Sequence, residues 1–158
     1  MVDQTSELAE RIVRFLDTNH VVSLATAGSL GPHAASLFYV RDGFGLVWVS
    51  DPNSRHSRDL EADARVSATV APDTSDYALI RGAQIHGTAY RVTDLDERGR
   101  LLALLVQRYS FLAKPKDAPA KMASAFDSAA VYRLEPARVV LIDNSLGFGH
   151  KDTLALSD

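Results

Sequence analysis

Apolar positions along this chain follow two periods, and the changes from one to the other mark the elements. In residues 6–16, Leu8, Ile12, Val13, Phe15 and Leu16 recur at helical spacing behind Thr5 or Ser6 as a cap. This predicts a short amphipathic helix whose stripe seals a core. After Asn19 the spacing becomes that of strands. Residues 21–27 are small or β-branched, and Gly28, Gly31 and Pro32 punctuate a turn. Residues 33–40 then alternate: Ala34, Ser36, Phe38 and Val40 share one face, and His33, Ala35, Leu37 and Tyr39 the other. Asp42 and Gly43 tolerate the positive φ of a tight hairpin, which leads into a strand over residues 44–50.

Pro52 breaks the sheet, and residues 51–63 turn helical near Ser54. Residues 65–71 form another strand, ended by Pro72, and a polar loop follows over 72–77. A long strand runs from about residue 79 to 92, where Gly82 and Gly87 signal bulges or sharp bends. Residues 95–109 read as a helix with Leu101, Leu102, Leu104, Leu105 and Val106 on its apolar side. Residues 111–119, with two prolines and two lysines, read as a loop, and 121–126 as a helical turn. The last strand, 130–143, is broken at Pro136, which suits an edge or a bulge. The tail is polar and glycine-punctuated, with Leu146, Phe148 and Leu154 as possible anchors. About six strands and two or three helices, without βαβ alternation, give a mainly β (α+β) fold. The expected form is a six-stranded antiparallel barrel with flanking helices, one domain over residues 1–158.

Composition narrows the function classes. The chain has 158 residues, 46% of them hydrophobic, enough for one closed core. No apolar run is long enough to span a membrane, and the acidic N-terminal segment does not resemble a secretory signal, so a cytoplasmic protein is expected. There are no cysteines, which excludes disulfides, thiolate metal sites and a cysteine nucleophile. The net charge of -3 gives no overall attraction to nucleic acid. The five histidines are scattered without metal-ligand spacing. No P-loop, GxGxxG, GxSxG or HExxH is present. An enzyme with so few placed acids and bases would depend on a cofactor.

Candidate chemistry concentrates in residues 50–58, SDPNSRHSR. A strand ends in Ser50, the chain turns, and a helix starts near Ser54. Free N–H groups and partial positive charge at a helix start favour an anion. Ser54 and Ser57 add hydroxyls, while Arg55, His56 and Arg58 add positive charge that opposes the helix dipole unless an anion sits there. A capped helix with solvated charges accounts for the same residues equally well. In residues 81–87, RGAQIHG, Gln84 and His86 share a face opposite Ala83 and Ile85, which a water-facing strand explains better than a ligand site. Residues 147–151, GFGHK, read as a C-terminal turn.

Taken in order, LATAGSLGPHAASLFYV, WVSDPNSRHSRDLEADARVSATV and IRGAQIHGTAYRV resemble the FMN-binding split-barrel, pyridoxamine 5'-phosphate oxidase-like superfamily over nearly the whole chain. SRH, IRGAQIHG and DNSLGFGHK are similar to its uncharacterised YhbP-like branch. The resemblance implies a flavin phosphate held over Ser50, Ser54, Arg55, His56 and Ser57, with His56 at the position of a lysine usual in many members. It implies an isoalloxazine ring lined by Ala35, Ser36, Trp48, Val49 and Ser50. It also implies sites shared between two subunits, with Gln84 and the tail near Phe148 reaching the partner's site. A barrel of this size leaves an apolar sheet face, so a homodimer is expected whose interface includes Phe38 and Trp48. The arginine-rich C-terminal motif that holds pyridoxal phosphate in the true oxidase is absent, so that activity is not expected. Three readings stay open: an FMN-dependent oxidoreductase of unassigned substrate, a non-catalytic binder of a planar ligand, and a protein using deazaflavin or haem. No catalytic residue and no metal site is assigned.

Overall fold

A computed structural model of the chain describes residues 4–113, 120 and 127–157. Its elements run α1 (Gln4–Thr18), β1 (Val21–Gly28), β2 (Gly31–Phe38), β3 (Val40–Asp42), β4 (Gly45–Ser50), α2 (Arg55–Ala62), β5 (Arg65–Val70), β6 (Arg81–Arg91), α3 (Leu95–Arg108), β7 (Ala130–Asp143) and β8 (Lys151–Ala155). Short 3₁₀ turns cover Tyr77–Leu79, Ser110–Leu112 and Asn144–Leu146. Every strand pairing is antiparallel, in the order β2-β1-β5-β6-β7-β4-β3, with β8 also on β7. The antiparallel barrel fold with flanking helices is therefore as expected. The helical turn expected at 121–126 and most of the 111–119 loop lie outside the described residues.

The sheet has eight strands where the sequence suggests six. One extra strand arises at Tyr39, which divides the expected 33–40 strand. Tyr39 is fully buried, its hydroxyl donates to the Leu16 carbonyl at 2.6 Å, and its N–H donates to the His20 carbonyl at 3.1 Å. These bonds take the residue out of both ladders, so β2 and β3, the two ends of the strand order, are joined by one residue and the sheet curls. The other extra strand is β8 in the tail. Along its second edge β7 pairs first with β4, through residues 130–134, and then with β8, through 138–142. Pro136, which has no N–H to donate, falls in the gap between these partners.

Across from Pro136 lies Gly87, and the register shifts between His86 and Gly87. A Cβ at Gly87 would overlap the Glu135 carbonyl and the Pro136 backbone. That explains the glycine at this bulge. Gly82, also expected to bend the strand, sits in regular pairing. Within the barrel, Val22, Leu24, Leu46, Trp48, Ile85, Tyr132 and Leu134 pack beneath Ile12 and Leu16 of α1, the core-sealing role read from its apolar stripe. A second cluster, with Val40, Val47, Val92, Val131, Leu101 and Leu105, seats α3 on the far side of β4. Burying each such side chain stabilises the fold by about 1.5–3 kcal/mol. Among the described residues no helix is long and apolar enough to cross a membrane.

Candidate functional site

The site is assembled by the turn between β4 and α2. Asp51 organises it, accepting from the Asn53 N–H through its side chain at 2.8 Å and from the Ser54 N–H through its carbonyl at 3.0 Å. Ser54 caps α2 by accepting from the Ser57 N–H at 3.4 Å. The first helical turn is thereby folded back over the end of β4. Ser50 Oγ lies 2.6 Å from His56 Nε2, and Ser54 Oγ lies 3.1 Å from the same nitrogen. Ser54 also donates to Ser57 Oγ at 2.8 Å and sits 3.4 Å from Ser50 Oγ. From edge strand β2, the His33 ring faces that of His56 at 6.3 Å between centroids, only 5° from parallel. The group thus occupies the seam between the β2 edge and the end of β4.

Burial holds the His56 imidazole below its ordinary range, the field of His33 adds to this, and Asp59 partly opposes it. At neutral pH the ring is uncharged. Ser50, Ser54 and neutral His56 therefore present a compact set of hydrogen-bonding groups at a helix start whose first N–H groups have no intrahelical acceptor. Such a set suits the oxygens of a phosphate or carboxylate.

Arg55 departs from the role expected of it. Its Nη2 donates to the carbonyls of Leu30, Gly31 and Pro32 at 3.1–3.4 Å, and its Nε lies 3.9 Å from Asp59 Oδ2. Asp59 is itself buried and accepts from the Thr26 hydroxyl at 2.9 Å. Arg55 is thus a clamp on the β1–β2 turn, not a free cation at the helix start. The same contacts and the neutrality of His56 reduce the positive charge opposing the helix dipole and leave Arg58, which is exposed, as the remaining cation of the first turns. Ser57 is fully buried, so it orients Ser54 without facing a ligand.

Trp48 also departs from expectation. It is 1% exposed and stacks on Tyr132 at 6.0 Å inside the barrel, so its side chain lines neither a flavin ring nor a subunit interface. Val49 packs toward the cluster beneath α3. Ala35 and Ser36 point to opposite faces of β2: Ala35 lies inward with His33, and Ser36 lies outward. Through the pairs Ser36↔Ser23, Ser23↔Thr69 and Thr69↔Gln84, Ser36 shares the outer face with Gln84, three strand spacings away. The expected set therefore divides in two, one part at the seam around His56 and one on the outer sheet face. Phe38 is half exposed on that outer face, with its ring against Tyr109 and Phe111.

His33 is a member of the seam group that the sequence did not single out; its only signal was sharing a strand face with Ala35. His86 places Nδ1 3.1 Å from Ser67 Oγ across β5, an ordinary strand pairing. In the tail, the Gly149 N–H donates to Asn144 Oδ1 at 3.0 Å, which makes residues 147–151 a structural turn. Among the described residues no group of histidines and carboxylates is arranged to hold a metal ion.

A curled antiparallel sheet with a polar group at its seam defines a protein of the split-barrel class. Residues 8–143 match the family model of pyridoxamine 5'-phosphate oxidase, and the chain belongs to that family. It is 32% identical over 149 residues to a UPF0306 protein of Serratia proteamaculans, covering 93% of this chain and 94% of that one. Among solved structures it is similar to a haem-binding protein from Mycobacterium smegmatis, with TM-score 0.74 and 22% identity. That match covers 98% of this chain and 59% of the longer mycobacterial one. It is also similar to a putative pyridoxamine 5'-phosphate oxidase from Listeria innocua, with TM-score 0.66 and 17% identity, covering 85% of this chain and 97% of that one. At these identities the two structures establish the fold alone.

Proposed function

We propose that the protein is a flavin-binding redox protein that holds FMN by its phosphate at the seam and works as a homodimer. The observation that carries this reading is the convergence of Ser50, Ser54 and His56 on the start of α2. Bound FMN would supply hydride transfer at its ring, chemistry for which the chain offers no motif of its own. Ser50 would donate to a phosphate oxygen, and Ser54 would do so by turning its proton away from Ser57 Oγ while still accepting from the Ser57 N–H. Arg55 would fix the adjoining turn. With Arg55 committed and His56 neutral, the phosphate is held by hydroxyls and the helix start and little by side-chain charge. Moderate affinity follows.

Support for the dimer comes from the outer sheet face. One row across the strands reads Ser36, Ser23, Thr69, Gln84, Val140 and Thr153, without a charge. The next reads Ala34, Ala25, Ser67, His86, Arg138 and Ala155, with one. Solvated sheet faces normally carry charged side chains, whereas a face of small side chains with a single arginine suits close packing against a twofold copy. Gln84 and Ser36 lie on this face and would be shared across the dimer. The visible spectrum of the purified protein tests the cofactor: a flavin spectrum that bleaches on addition of a nicotinamide donor supports a redox role. A haem Soret band in place of flavin would overturn it.

A further inference from the structure

At the opposite end of the barrel, α1 and the adjoining ends of β6 and β7 enclose a cleft of about 250 Å³. β7 spans the separation: Ala130 pairs with Ser50 at the seam, and Asp143 lines the cleft. We propose that this cleft is a second ligand site, for a small molecule bearing a carboxylate or phosphate group. Three arginines line it, Arg11 and Arg14 from α1 and Arg81 from the start of β6, against two carboxylates, Asp143 on the lining and Asp152 bonded to Arg11. Arg81 is half exposed and binds Asp143 through Nε at 3.2 Å. Arg11 uses Nη1 on Asp152 at 2.8 Å, while its Nη2 is buried without an acceptor. Arg14 is exposed, and its guanidinium has no hydrogen-bond or ion-pair partner among the described residues.

A surplus of guanidinium groups gathered on one cleft, in a chain whose net charge is -3, is a local focus for an anion. Planar donor forks suit the paired oxygens of carboxylate and phosphate alike. Phe15 and Leu141 supply an apolar wall beside them, so the ligand carries an anionic head on a short apolar body. The site does not depend on the seam reading, because it shares no residue with it.

Amide chemical-shift mapping on the full chain tests the proposal. Sodium phosphate and sodium acetate would be titrated separately, at ionic strength held constant with chloride. Saturable shifts are expected for residues 11–18, 81 and 141–143 with at least one of the two anions, and the stronger of them identifies the head group. Arg14→Ala should weaken this binding roughly ten- to a hundredfold, the loss of one charge-assisted contact. That substitution lies on an exposed helix face and leaves the fold intact. Ser54→Ala should leave the cleft titration unchanged, which separates it from phosphate held at the seam. No saturable shift in the cleft with either anion, or equal affinity in wild type and Arg14→Ala, would overturn the proposal.

Discussion

His56 concentrates the electrostatics of the seam in one side chain. Its folded pKa lies below the ordinary value of 6.5 because of burial first and His33 second. Stability from the neutral ring is therefore complete above about pH 6.5 and is lost as pH falls toward the depressed value, since the unfolded chain takes up the proton first. An anion bound beside the ring reverses the preference, because it favours the charged form. FMN affinity of the wild type relative to His56→Gln should then rise as pH falls from 8 to 5.5. Taking the ratio of the two proteins cancels the phosphate's own titration, and a ratio that stays flat would remove His56 from the site. Tyr132 makes a different point at the same scale. Its hydroxyl and the Trp48 indole N–H are buried without partners. Tyr132→Phe removes an unsatisfied group at little cost in shape, so the unfolding free energy from urea denaturation should stay or rise, by up to about 1 kcal/mol. A loss above that would mean that the hydroxyl is hydrogen-bonded in solution.

At the scale of elements, the bulge in β6 is the feature that sequence and coordinates explain together. Gly87 faces Pro136, and neither a side chain at the first nor an N–H at the second is available to regular pairing. Gly87→Ala should destabilise the protein by about 2–4 kcal/mol, read by urea denaturation, because backbone and not a flexible side chain blocks the added methyl. A loss under about 1 kcal/mol would show that the bulge can relax. Glycine and proline made this bend legible in the sequence, although Gly82 gave the same signal and pairs regularly. The division of the 33–40 strand was not legible. Tyr39 continues the alternation without fault, and what removes it from the ladder is a hydrogen bond to Leu16 from another element. The contacts of Arg55 were not legible for the same kind of reason. Its place at the helix start could be read, but its contacts with residues 30–32 depend on how α2 lies on β1 and β2.

For the whole molecule, Ser23, Ala25, Ser67 and Thr69 alternate with core residues and Ser36 with partly buried ones, and of these only the alternation around Ser36 was read from the sequence. What the alternation lacked was the neighbour order that joins them into one surface. Thr69→Arg places a charge at the centre of that surface without touching the core. Sedimentation should show a dimer for wild type at micromolar concentration and a monomer with unchanged circular dichroism for the variant. A monomeric wild type would contradict the twofold assembly.

The central claim, that the seam holds a flavin by its phosphate, is tested most directly by comparing FMN with riboflavin, which lacks that group. Quenching of flavin fluorescence would be titrated against wild type and Ser50→Ala. Wild type should bind FMN more tightly than riboflavin, and Ser50→Ala should narrow the difference by about 0.5–1.5 kcal/mol, or roughly two- to tenfold in Kd, while leaving riboflavin affinity unchanged. Equal affinity of wild type for the two flavins, or the same preference in Ser50→Ala, would contradict it.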